Sequence, residues 1–146
     1  MATERRAEVS WRGDLTSGAG VIERVGSGAL GELDVSWTAR AEKPDGKTSP
    51  EELIAAAHAS CFAMALSHAL AQEGHAPDEL DVSAAVTFEP GTGITTAALD
   101  VEGSVPGLDE ARFREAAEQA KENCPVSQAL KGNVEMSVSA RLRQQA

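Results

Sequence analysis

The 146-residue sequence predicts an α+β domain. Three observations carry that class. Several stretches alternate apolar and polar residues with strand period, one long apolar segment has a complete helix start, and no βαβ repetition calls for a parallel sheet. The length suits a single domain over residues 1–146, and a hydrophobic content of 42% is enough to build a core without covalent staples. Aromatics make up only 3% and tyrosine is absent, so alanine, valine and leucine must fill that core and let backbones approach closely.

Val9 and Trp11 alternate with polar neighbours over residues 8–12, and Leu33, Val35, Trp37 and Ala39 alternate over residues 33–39. Between them, glycine-rich turns flank a short strand over residues 21–25, so the N-terminal third reads as a meander of strands. Residues 42–49 form a loop by their Pro, Asp-Gly and charge content, and Ser49 then caps a helix with Pro50 at its first position. Glu52 falls at the capping-box spacing, and Gly74 stops the helix at about Glu73, giving a rod of roughly 36 Å.

Val82, Ala84, Val86 and Phe88 alternate, as do Thr95, Ala97, Leu99 and Val101 after a Pro90-Gly91-Thr92-Gly93 turn, which predicts a hairpin. Asp109 caps a second helix with Phe113, Ala116, Ala117 and Ala120 on one face. Pro125 ends that helix and begins a short third one through Leu130, with Gly132 as its stop. A last strand carries Val134, Met136, Val138, Ala140 and Leu142 on one face.

The net charge of −10, from 13 basic and 23 acidic residues, argues against nucleic acid and against anionic membrane surfaces, both of which need clustered Lys and Arg. The polar N-terminus lacks the apolar stretch of a signal peptide, so a cytoplasmic protein is expected. The apolar run over residues 53–70 is interrupted by His58, Ser60, Ser67 and His68, which suits a buried helix better than a membrane span. No dinucleotide fingerprint, Walker loop or serine-hydrolase elbow occurs, and no cofactor is expected.

The two cysteines remain. On the long helix Leu53, Ala57, Cys61, Met64 and His68 share one stripe, which makes Cys61 core-facing; a buried thiol of this kind is ordinarily inert packing. Cys124 precedes Pro125 at a helix start, where free N–H groups favour a thiolate, although a small residue also simply fits there. Arg40 closes a strand near the helix cap, and Glu51 in the first helical turn is a partner for its guanidinium. Each also has a plain alternative, a solvated strand end for Arg40 and a helix-dipole role for Glu51. His58, Cys61, His68 and Cys124 lack standard zinc spacing, so no metal site is expected.

The string Thr48-Ser-Pro-Glu-Glu-Leu-Ile-Ala-Ala-Ala-His-Ala-Ser-Cys-Phe-Ala-Met-Ala-Leu-Ser, followed by Val105-Pro-Gly-Leu-Asp and Cys124-Pro-Val-Ser-Gln-Ala-Leu-Lys, resembles the OsmC/Ohr family of thiol-dependent peroxidases, closer to its OsmC branch. The resemblance runs from about Trp37 to the end of the chain. It implies the OsmC-like fold, antiparallel sheets around a long central helix in an intertwined homodimer. It further implies that Cys61 attacks an organic hydroperoxide, Cys124 resolves the product as a disulfide, Arg40 activates Cys61 and Glu51 orients Arg40. An external dithiol, a dihydrolipoyl group or lipoylated protein, is then the expected reductant, and Phe62 and Met64 are candidates for an apolar pocket. Ser49 stands where the family usually has asparagine, and Ala41 stands where an aromatic is usual, which leaves room for a wider pocket.

Overall fold

The computed structural model describes residues 2–143. Its contacts fall into two compact units, one ending at Leu53 and the other beginning at Ile54, so the divide lies inside the long helix.

In the first unit, β1 (Ala7–Arg12), β2 (Ala19–Val25) and β3 (Leu33–Val35) form an antiparallel meander in that order. The third strand stops four residues earlier than its alternation suggests. Ser36 takes an extended conformation and its hydroxyl accepts the Ala39 N–H at 3.1 Å, which opens a short helix α1 (Trp37–Ala41) where a strand was expected. A serine's affinity for free helical N–H groups outweighs a two-residue alternation signal. Arg40 therefore sits in the last turn of a helix and not at a strand end.

The long helix α2 (Pro50–Gln72) starts as expected, with Ser49 Oγ accepting the Glu52 N–H at 3.1 Å. Half of the capping box is rewired: the Glu52 carboxylate accepts from the Thr48 hydroxyl at 2.8 Å. Gly74, at φ +85°, closes the far end with paired bonds from Gly74 N–H to Ala71 C=O and from His75 N–H to Leu70 C=O. By length and hydropathy alone, a mean of 1.5 over its best window, α2 could cross a bilayer, a test that core helices of soluble proteins also pass.

In the second unit, β4 (Glu79–Glu89) and β5 (Gly93–Ser104) make the predicted hairpin. Two helices follow, α3 (Glu110–Asn123), capped by the Asp109 carboxylate accepting from Arg112 N–H, and α4 (Pro125–Leu130). The chain then returns as β6 (Glu135–Leu142), which pairs parallel to β5. The α+β class holds, but this one parallel pairing departs from the expectation of hairpins alone. It follows from α3 and α4 carrying the chain back to the end of the sheet from which β5 began, the kind of crossover a parallel pair requires.

The core of this unit comes from α2 (Phe62, Leu66, Leu70), β5 (Leu99, Val101), and the predicted α3 face of Phe113, Ala116, Ala117 and Ala120, with Cys124 beside them. Gly103 permits a close approach here, because a Cβ at that position would lie 2.7 Å from the Phe113 ring. The buried stripe of α2 is His58, Phe62, Leu66 and Leu70, one to two residues along from the stripe that the sequence suggested. Met64 is 72% exposed, and Ala57 and His68 are exposed as well. Alanines at many α2 positions let two adjacent four-residue spacings look equally apolar, so large neighbours and not periodicity choose the buried one.

Candidate active site

Cys61 and Cys124 are both free thiols, brought together from α2 and the start of α4. Cys124 is fully buried, whereas Cys61 is half-buried and packs against the core. Burial pushes the Cys61 thiol above its ordinary range, and a hydrogen bond to Cys124 adds to the rise. The backbone N–H of Val126 works the other way by donating to the Cys61 sulfur. The amide in the first turn of α4 thus serves the sulfur of the other cysteine, a placement that one-dimensional reading had assigned to Cys124.

A second pair links the same two helices. His58 lies one turn before Cys61 on α2, Ser127 lies one turn into α4, and His58 Nε2 meets Ser127 Oγ at 2.8 Å. Both side chains are buried, at 0% and 1% exposure. His58 Nδ1 is buried with no hydrogen-bond partner among the described residues, and burial lowers the His58 pKa, which keeps the ring neutral. The sequence reading weighed His58 as a metal ligand and as part of the family motif, and gave Ser127 no role of its own. The signal available was their matching one-turn offsets from the two thiols. Among the described residues no group of three or more His, Cys, Asp and Glu side chains is placed to hold a metal ion.

In the first unit, Arg40 and Glu51 form the pair that the sequence suggested. Arg40 Nε donates to Glu51 Oε1 at 3.0 Å and Nη2 donates to Oε2 at 2.9 Å, a two-pronged contact that fixes the guanidinium plane. Glu51 is only 6% exposed, so the pair is largely shielded from solvent on the carboxylate side. Arg40 also lines an apolar cavity of about 320 Å³ with Trp11, Leu15, Ile22, Trp37 and Leu53. Neither of the pocket candidates lines this cavity: Phe62 is fully buried in the core of the second unit, and Met64 is exposed.

Fold and site define a class: a small α+β protein with two free thiols in mutual contact in one unit and a carboxylate-clamped arginine on an apolar cavity in the other. The family profile described as OsmC-like protein matches residues 43–139, and the chain belongs to the OsmC family. It is 39% identical over 137 residues to peroxiredoxin OsmC of Escherichia coli (strain K12), a match covering 92% of this chain and 94% of that one. The crystal structure of the organic hydroperoxide resistance protein OhrB of Bacillus subtilis aligns with a TM-score of 0.66 at 28% identity, covering 93% of this chain and 98% of that one. A putative organic hydroperoxide resistance protein of Vibrio cholerae aligns with a TM-score of 0.69 at 26% identity, covering 96% and 94%. These relatives bear the names of a peroxiredoxin and of organic hydroperoxide resistance proteins.

Proposed function

We propose that this chain reduces organic hydroperoxides to alcohols with Cys61 as the attacking thiol and Cys124 as the resolving one. The observation that carries the reading is that both cysteines are free and that Cys124, at the start of α4, lies near enough to Cys61 on α2 to raise its thiol pKa. The Cys61 thiolate attacks the outer oxygen of ROOH, the O–O bond breaks, and ROH leaves with a proton, so that Cys61 becomes a sulfenic acid. The Cys124 thiol then displaces water to form the Cys61–Cys124 disulfide. A dithiol, with a dihydrolipoyl group implied by family resemblance, reduces it in two exchange steps and is itself oxidised to a disulfide.

Burial and the Cys124 contact hold Cys61 protonated, so the reaction needs a positive charge that favours the thiolate. Arg40, its plane fixed by Glu51, is the group assigned that task. The apolar lining around Arg40 favours an organic peroxide over hydrogen peroxide. In this reading the whole chain acts as one cytoplasmic OsmC-like domain and works as an intertwined homodimer. The exposed Met64 and the small exposed residues Ala56, Ala57 and Ser60 on α2 support a second copy covering that helix.

Titration of free thiols after one equivalent of cumene hydroperoxide tests the proposal. Two thiols should disappear within the mixing experiment and return on addition of dihydrolipoamide. Retention of both thiols refutes it.

A further inference from the structure

The His58–Ser127 contact is hard to explain as stabilisation. Both side chains are essentially fully buried, and their bond leaves His58 Nδ1 without a partner among the described residues. Apolar side chains of similar shape would fill the same space without an unsatisfied ring nitrogen. What a hydrogen bond offers and an apolar contact does not is direction, and the elements it joins are those that carry the two thiols. His58 shares α2 with Cys61, one turn away, while Ser127 sits in α4, whose N-cap is Cys124 and whose second residue, Val126, donates its N–H to the Cys61 sulfur.

We propose that His58 and Ser127 are positioning residues for the thiol pair: their bond fixes the first turn of α4 on α2, holding Cys124 and the Val126 N–H against the Cys61 sulfur. The helix α4 is six residues long, too short to set its own place by internal hydrogen bonds. A slip of one residue along a helix is about 1.5 Å, and a disulfide tolerates an S–S distance of about 2.05 Å, so a small displacement of α4 removes the bonding geometry. A buried acceptor without a partner is less rare than a buried orphan N–H, which puts the imidazole proton on Nε2, donating to Ser127 Oγ. Taken with the peroxidase reading, on which its catalytic meaning rests, the pair governs how readily Cys124 closes onto the sulfenic acid of Cys61.

The test needs no peroxide. The equilibrium constant for Cys61–Cys124 disulfide formation is measured against glutathione redox buffers, in which one glutathione disulfide is reduced to two glutathiones as the pair is oxidised. The wild-type protein is compared with Ser127→Ala, His58→Phe, the double variant and His58→Gln, whose amide N–H can replace the ring donor. Loss of one buried neutral hydrogen bond should lower the constant about tenfold in each truncating single variant. The double variant should fall no further than either single one, and His58→Gln should retain most of the wild-type value. Constants within twofold of wild type in Ser127→Ala, or losses that multiply in the double variant, overturn the proposal. Should His58→Phe not fold, the Ser127→Ala constant decides alone. Failure of the peroxidase reading shows in a different measurement, the thiol count with cumene hydroperoxide.

Discussion

Acidification from pH 7 to pH 5 should weaken the fold through His58. Its ring is fully buried, and burial lowers its pKa from the ordinary 6.5. In the unfolded chain the imidazole takes up a proton as the pH falls through that ordinary value, while the folded ring stays neutral until a lower pH. Over that window the unfolded state binds more protons, so the stability is complete above pH 6.5 and is lost progressively below it. One such group changes stability by at most about 1.4 kcal/mol per pH unit, which integrates to an upper bound of about 2 kcal/mol between pH 7 and pH 5. Urea unfolding of the wild type and His58→Phe at pH 7, 6 and 5, at fixed protein concentration with a phosphine reductant, isolates the effect. All other ionisable groups are common to both proteins, and the lost Ser127 bond is a constant offset. The wild type should lose up to about 2 kcal/mol more than the variant over this range. Equal losses would refute the argument, because they would mean that His58 protonates as easily inside the fold as outside it.

Other predictions test the assigned chemistry. Cys61→Ser should abolish peroxide reduction, whereas Cys124→Ser should consume about one equivalent and then stall with a dimedone-reactive sulfenic acid visible by mass spectrometry; equal activity in Cys61→Ser and wild type removes the assignment. On the role proposed for Arg40, its replacement by Gln removes the charge that favours the Cys61 thiolate, so the single-turnover rate should climb from pH 7 to pH 9 while the wild-type rate levels off earlier. Superimposable profiles would show that Arg40 has no electrostatic part. Ser49→Ala removes the hydroxyl that accepts the Glu52 N–H and should cost about 1 kcal/mol in urea unfolding.

Much of this architecture was legible because it is written in local chemistry. Ser49 with Pro50, Asp109, Pro125, Gly74 and Gly132 mark helix ends through backbone groups a few residues away, and each does so in the structure. The hairpin and the α3 face were readable for the same reason. Ser36 carried an equally local signal, its capping of α1, that the alternation of Leu33 to Ala39 obscured.

By itself, then, the sequence determined the α+β class, the ends of α2, α3 and α4, and the residues in which thiol chemistry had to be sought, while it left the Arg40–Glu51 pairing open beside plainer readings. Only the tertiary structure decided which α2 stripe is buried, that β6 runs parallel to β5, that α4 aims an N–H at Cys61 instead of Cys124, and that His58 finds Ser127. The physical reason is range. Caps and turns are settled by hydrogen bonds between near neighbours, whereas register, burial and the approach of two side chains 69 residues apart are settled by packing among segments that the order of the chain does not bring together.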